Sequence, residues 1–168
     1  MIHVCSLARL HATVEDTGAR HIVTLINDQT KVLRPPSVAA DDHLFLAMHD
    51  IAAEMEGFRA PAEAHVREML EFVRRWPQEK PLVVHCWAGI SRSTAGAFIA
   101  ACALNPTRRE DRIARAIREA SATASPNTRL VALADRLLAR NGRMIAAIEE
   151  IGPGTTAHEG TPFRLDLA

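Results

Sequence analysis

Between Pro81 and Leu104 the chain passes from a short apolar stretch, through a few loop residues that include Gly89, into a helix-forming stretch apolar almost all round. Few architectures admit that order. A short strand apolar on both faces belongs inside a parallel sheet, and a helix without a polar face must be buried against it. Ile2–Leu7, His21–Ile26 and His43–Met48 have the length and apolar character of further strands, with Pro81–His85 as the fourth. From Ala62 to Trp76 the apolar residues Ala62, Val66, Met69, Leu70 and Val73 form the stripe of a helix packed on a sheet. Ser93–Leu104, Arg109–Ala120, Thr128–Arg140 and Met144–Ile151 predict further helices. Ser125-Pro126 suits the start of the third of these, with serine as N-cap and proline at the first helical position. Gly18 suits the C-cap of a short helix between the first two strands. The pattern predicts a single α/β domain: a central, mainly parallel sheet of four or five strands flanked by helices. That domain is expected to span residues 1–151. Residues 152–168, rich in Gly, Pro and Thr, read as a loose C-terminal tail.

At 168 residues with 48% apolar content, the chain can bury a full core. Its 20 basic and 20 acidic residues balance, so no nucleic acid or membrane partner is expected on electrostatic grounds. Cys5, Cys86 and Cys102 are odd in number and lack C-x-x-C spacing, which argues against a disulfide framework and a cysteine-based zinc site. The histidines show neither H-x-x-x-H nor H-E-x-x-H spacing, so no metal site is predicted. Met1–Cys5 lacks the pattern of a signal peptide, and Ala95–Leu104 is too short to cross a bilayer. A soluble, cytoplasmic protein is expected.

The stretch Val83–Thr94 carries the chemistry. A loop wrapped ahead of a helix N-terminus points several backbone N–H groups into one concave spot, which binds oxyanions. Gly89 permits a backbone conformation that a side chain would obstruct. Arg92 can hold two phosphate oxygens bidentately and stays charged at any working pH. Cys86, at the mouth of such a nest, sits in positive potential that favours the nucleophilic thiolate. Ser93 and Thr94 supply hydroxyls near the sulfur, and one of them can stabilise it as a leaving group. An inert, buried cysteine is the competing reading, and the joint order of strand, cysteine, glycine, arginine and hydroxyl pair weighs against it.

His85-Cys86-x-x-Gly89-x-x-Arg92-Ser93 resembles the signature of the protein tyrosine phosphatase superfamily, and Ala88-Gly89-Ile90-Ser91-Arg92-Ser93 has the flavour of its dual-specificity branch. The likeness spans about residues 45–140, strongly at the loop and weakly elsewhere, with Ser125-Pro126-Asn127 opening a helix as in those domains. It implies a phosphate-binding loop formed by Trp87, Ala88, Gly89, Ile90, Ser91 and Arg92. It also implies a positioning role for His85 by hydrogen bonding, an orienting role for Asn127, and an aspartate general acid on a loop preceding the cysteine. Asp50, just after the third strand, suits that role, because in a parallel sheet it lies at the same edge as the Cys86 loop. The competing role for Asp50 is N-cap of a short helix at Ile51–Met55. Asp41, Asp42, Glu54 and Glu56 are the substitutes. His85 and Asn127 also admit plain structural readings, as a core histidine and a first-turn residue. Cys5 and Cys102 are expected in the core, with Cys5 conceivable as a redox partner of Cys86. Lys31 and Arg34, in the loop Asn27–Ala40, can rim the pocket or simply face solvent.

The sequence therefore predicts a phosphomonoester hydrolase, a protein tyrosine or dual-specificity phosphatase acting through a phosphocysteine, with Cys86, Arg92, Asp50 and Ser93 as its catalytic residues. The chemistry requires no metal or organic cofactor. The expected partner is a phosphorylated protein or small phosphomonoester, and free phosphate or sulfate can occupy the loop. Two alternatives stand beside it: the same chemistry on a phosphoinositide, nucleotide or RNA 5′-phosphate, and a catalytically silent phosphate-binding module. The lack of lysine in the loop disfavours the inositide.

Overall fold

One five-stranded sheet organises the chain, and four of its strands are the apolar runs read from the sequence. The computed structural model describes residues 1–167. In chain order they form β1 (Ile2–Ser6), α1 (Leu10–Thr17), β2 (His21–Ile26), a 3₁₀ turn (Ala40–Asp42), β3 (His43–Ala47) and α2 (Glu63–Arg75). There follow β4 (Leu82–Cys86), α3 (Arg92–Leu104), α4 (Glu110–Ala120), α5 (Thr128–Leu137), α6 (Arg143–Ile151) and β5 (Phe163–Leu165). In space the strands lie in the order β3-β2-β4-β1-β5, and β1 to β4 run parallel. Their C-terminal ends therefore share one edge, where Ser6 pairs in register with Cys86.

Side chains alternate across the sheet. Ile2, Val4, Val23, Leu25, Leu82 and Val84 face the large core under α2 to α6, whereas Cys5, Ile22 and Val83 face α1 with Leu10 and Val14. All five β4 residues are buried, as a central strand covered on both faces must be. Helix α3 is buried from Arg92 through Cys102, because α2, α4 and α5 close over the side it turns away from the sheet. It lies close to the strands. A Cβ at Gly96 would sit 2.7 Å from Leu25 Cδ1 and 2.9 Å from Val84 Cγ1. Val66, Met69, Leu70 and Val73 of the predicted stripe are buried on α2 together with Phe72, each contributing about 1.5–3 kcal/mol, whereas Ala62 is the exposed N-cap. His65 Nδ1 accepts from Ala62 N–H at 3.0 Å and satisfies one of the donors at that helix start.

Three local expectations change. Helix α5 begins at Thr128 with Asn127 as its N-cap, not Ser125, since Asn127 Oδ1 accepts from Leu130 N–H at 3.0 Å. It also ends at Leu137 rather than Arg140. The Asp135 carboxylate accepts from Gly142 N–H at 2.7 Å and Met144 N–H at 2.9 Å, capping α6 and turning the chain. Arg140 is drawn inward to Glu110 at 2.9 Å and the Cys102 carbonyl at 2.7 Å. No helix forms at Ile51–Met55. The stretch read as a loose tail is not loose: Phe163–Leu165 pairs antiparallel with β1, Phe163 opposite Val4 and Leu165 opposite Ile2. The free edge of β1 supplies hydrogen-bond partners that composition alone does not reveal.

Candidate active site

The loop from Trp87 to Ser91 joins the end of β4 to the start of α3. Its carbonyls are held from outside. Leu7 N–H donates to the Trp87 carbonyl at 3.1 Å, Ser125 N–H to that of Ile90 at 3.0 Å and Asn127 N–H to that of Ser91 at 3.3 Å. Thr94 Oγ1 adds contacts of 2.5 Å to Ile90 O and 2.9 Å to Ser91 O. Carbonyls turned outward leave N–H groups free to turn inward, as an anion nest requires. Gly89 makes the bend with φ +74°, and a Cβ there would lie 2.8 Å from Cys5 C and Ser6 N. Its N–H points at Cys86 Sγ, 3.3 Å away.

Cys86 is buried, and Ser93 Oγ lies 3.2 Å from its sulfur. Of the two hydroxyls named from sequence, Ser93 meets the sulfur and Thr94 anchors the loop. Arg92 is also buried, with Nη1 donating to the Met48 carbonyl at 2.8 Å. Its Nε has no hydrogen-bond partner among the described residues and lies 4.0 Å from Asp50 Oδ2. A fixed guanidinium with an unspent buried donor can receive phosphate oxygens. Asp50 is held on its other oxygen: Ser91 Oγ donates to Oδ1 at 2.7 Å and Asn127 Nδ2 at 2.9 Å. Asn127 thus uses its oxygen to cap α5 and its amide nitrogen to orient Asp50. Two of the four substitutes for Asp50 are engaged elsewhere, Glu54 with Arg129 at 2.9 Å and Asp42 with His21 at 3.3 Å.

His85 Nε2 lies 2.7 Å from Thr24 Oγ1, which is also 2.7 Å from His43 Nε2. One hydroxyl has one proton to donate, so at most one of the two ring nitrogens can accept from it and at least one donates to it. Burial pushes His85 down to about 4, the adjacent Cys86 backbone opposing in part. It stands as a neutral, fixed residue beneath the loop rather than an acid or base. Burial likewise pushes Cys5 and Cys102 up to about 12, which makes both poor thiolates. Trp87, the first residue of the loop, has an exposed side chain. Arg34 is spent on the Val38 carbonyl of its own loop. A groove of about 560 Å³ opens from Asp50 and Ser91 toward Pro126, Ile148 and Pro153.

Met48, Thr24 and His43 were invisible to sequence reasoning. Met48 acts through its carbonyl, which leaves no side-chain signal, and the two others act across the sheet.

Residues 5–107 match the family described as "Polymorphic toxin system, DSP-PTPase phosphatase". The chain belongs to that family. The match runs from the last two residues of β1 through α3 and includes every loop residue from His85 to Ser93. No curated protein sequence matches the chain. Solved structures with the same fold include human DUSP28, 17% identical over 83% of this chain and 89% of that one, with a TM-score of 0.64. The PTP-2 phosphatase of Cydia pomonella is 18% identical over 80% and 84%, TM-score 0.62. PTPMT1 in complex with PI(5)P is 15% identical over 83% and 91%, TM-score 0.62. The family is one of phosphatases of the dual-specificity type, and these solved structures share the chain's fold. Among the described residues no group of side chains could hold a metal ion, and no helix is long and apolar enough to cross a membrane.

Proposed function

We propose that the protein hydrolyses phosphomonoesters through a phosphocysteine on Cys86. The observation that carries this is the meeting of Cys86 Sγ, the inward Gly89 N–H, Ser93 Oγ and the Arg92–Asp50 pair at one sheet edge. In the first step the thiolate attacks phosphorus in line and a P–S bond forms as the P–O ester bond breaks. The loop amides and Arg92 stabilise the equatorial charge, and the Asp50 carboxylic acid gives its proton to the departing oxygen. In the second step the Asp50 carboxylate takes a proton from water while that water attacks phosphorus. The P–S bond breaks and the thiolate leaves, received by the Ser93 hydroxyl. The chemistry relies on positioning and electrostatics, so the chain's own residues suffice.

A phosphorylated protein side chain suits this loop better than a polyanionic headgroup or nucleotide, because Trp87, Ala88, Ile90 and Ser91 bring no positive charge beyond Arg92. The setting named in the family's description, a polymorphic toxin system, is compatible with such a target.

Hydrolysis of para-nitrophenyl phosphate in excess chelator tests the reading. Wild type should turn over, Cys86→Ser should lose all activity, and Asp50→Ala should retain a small fraction with the acid-dependent limb of its pH profile altered. Wild-type protein that binds phosphate without turnover would leave only a binding module.

A further inference from the structure

Beyond Ile151 the chain runs back past the Cys86 loop before it enters β5. Arg118 fastens the start of this strap, donating to the Ile151 carbonyl at 2.6 Å and that of Gly152 at 2.8 Å. Gly154 N–H donates to Ser125 Oγ at 2.9 Å, and Thr155 N–H to the Ala122 carbonyl at 2.8 Å. At its far end Glu159 accepts from the buried Ser6 hydroxyl at 2.5 Å, and Ser6 is the residue in register with Cys86. The Arg9 guanidinium, 3.8 Å from the same carboxylate, is exposed and adds little. The next residue, Gly160, is buried and donates its N–H to the Ala88 carbonyl at 2.8 Å. A Cβ on Gly160 would lie 2.9 Å from the Gly89 carbonyl oxygen and 3.3 Å from Ile90 Cγ1, so the strap lies directly against the loop.

The peptide between Ala88 and Gly89 is planar and trans, so its C=O and N–H point in opposite directions. Its oxygen is held by Gly160 and its N–H is 3.3 Å from Cys86 Sγ. We infer that the C-terminal strap is a positioning element of the nucleophile loop, in which Gly160, anchored through Glu159 and Ser6, fixes the peptide that directs the Gly89 N–H at the Cys86 sulfur. The inference rests on Cys86 being the nucleophile of a phosphate loop. It gives a function to residues beyond the 5–107 stretch that carries the family match. Neither Glu159 nor Gly160 touches the reacting atoms. Both act through the loop.

The test uses the full chain as Gly160→Ala, Glu159→Ala and Glu159→Gln. Three readouts are taken: the melting temperature, the iodoacetamide alkylation rate of the Cys86 peptide against pH, and protection from alkylation by inorganic phosphate. A hydrogen bond to a charged group is worth about a tenfold change in equilibrium. Gly160→Ala should therefore slow alkylation about tenfold on the acid side of the titration, move its midpoint to higher pH, and weaken phosphate protection by a similar factor. Glu159→Ala should change both in the same direction. Glu159→Gln, whose amide oxygen still accepts from Ser6, should restore both toward wild type. Variants that melt earlier yet keep the wild-type titration and phosphate protection overturn the inference, because a purely structural strap predicts that result. If Gly160→Ala fails to melt cooperatively, the Glu159 pair decides alone. Alkylation and protection are read without turnover. A wild type that binds phosphate yet leaves para-nitrophenyl phosphate intact thus refutes the proposed hydrolysis while the strap is still judged on its own readouts.

Discussion

Replacing Gly89 by alanine places one methyl group where two independent constraints meet. The residue adopts φ +74°, a region that costs an L-residue with a side chain about 1–2 kcal/mol. The new Cβ would also lie 2.8 Å from Cys5 C and Ser6 N. Those are backbone atoms of β1, which is tied to β4 on one side and β5 on the other, so they cannot yield as a flexible side chain would. Ordinary contact requires a further half ångström or so, and overpacking of this kind costs about 1–3 kcal/mol. The two terms give roughly 2–5 kcal/mol if the loop stays in place. At about 2–4 °C per kcal/mol for a chain of this size, the midpoint should fall by roughly 4–20 °C. If the loop instead moves outward to relieve the overlap, the stability cost shrinks and the catalytic cost grows. The Gly89 N–H then leaves Cys86 Sγ, and a misplacement near 1 Å costs about a hundredfold in rate. Differential scanning fluorimetry and para-nitrophenyl phosphate kinetics on the same preparation separate the two cases. An alanine variant within about 1 °C and threefold of wild type in kcat/KM would refute both the left-handed bend and the tight contact with β1.

Two other perturbations follow from the same geometry. His85 is held down to about 4 by burial, whereas an unfolded histidine titrates near 6.5. Between those values the unfolded state binds more protons, so stability falls as pH drops from about 6.5 to 4 and is unaffected above about 7. The loss from pH 7 to pH 4.5 is roughly 2 kcal/mol, read by urea unfolding at each pH, and His85→Gln should lack that part of the slope. An unchanged slope in the variant would refute it. Asn127→Ala removes the cap of α5 and the amide that orients Asp50. It should cost about 1 kcal/mol in stability, with kcat falling more than KM rises; Asn127→Ser, which can cap without reaching Asp50, should recover the stability alone.

Much of the fold was legible because its signals are local. The four parallel strands were found within a residue or so, since each is a short apolar run bounded by polar or turn residues. Cys86, Gly89, Arg92 and Ser93 were legible because loop chemistry compresses them into eight residues. What escaped depends on partners distant in sequence. Asn127 replaces Ser125 as cap partly because Ser125 is engaged by the strap at Gly154, an interaction with no sequence signature. The end of α5 is set by Asp135 reaching forward and by Arg140 reaching back to Glu110. Strand β5 is too short for its alternation to stand out, and its order comes from the edge of β1.

The distribution of hydrogen bonds also separates what must hold still from what can move. The Cys86 loop is gripped at its Trp87, Ala88, Ile90 and Ser91 carbonyls by three separate parts of the chain, at Leu7, at Gly160 and at Ser125 with Asn127. A nest that stabilises developing charge gains most when its dipoles need no rearrangement during reaction. The segment that follows Asp50, the proposed acid, is built the other way. Ala52 to Arg59 is exposed throughout, including Met55 and Phe58. It is pinned at its two ends, where His49 N–H donates to the Arg59 carbonyl at 2.8 Å and Arg59 N–H to His49 Nδ1 at 2.9 Å. Asp50 sits beside that pin, tied to the rigid loop through Ser91 and to α5 through Asn127. In the proposed mechanism the carboxylate would keep its distance to the sulfur while the exposed apolar tip beyond it meets the body of the substrate. In the proposed mechanism, a fixed nest at phosphorus and an exposed surface around the leaving group would let one site take phosphate on side chains of different size.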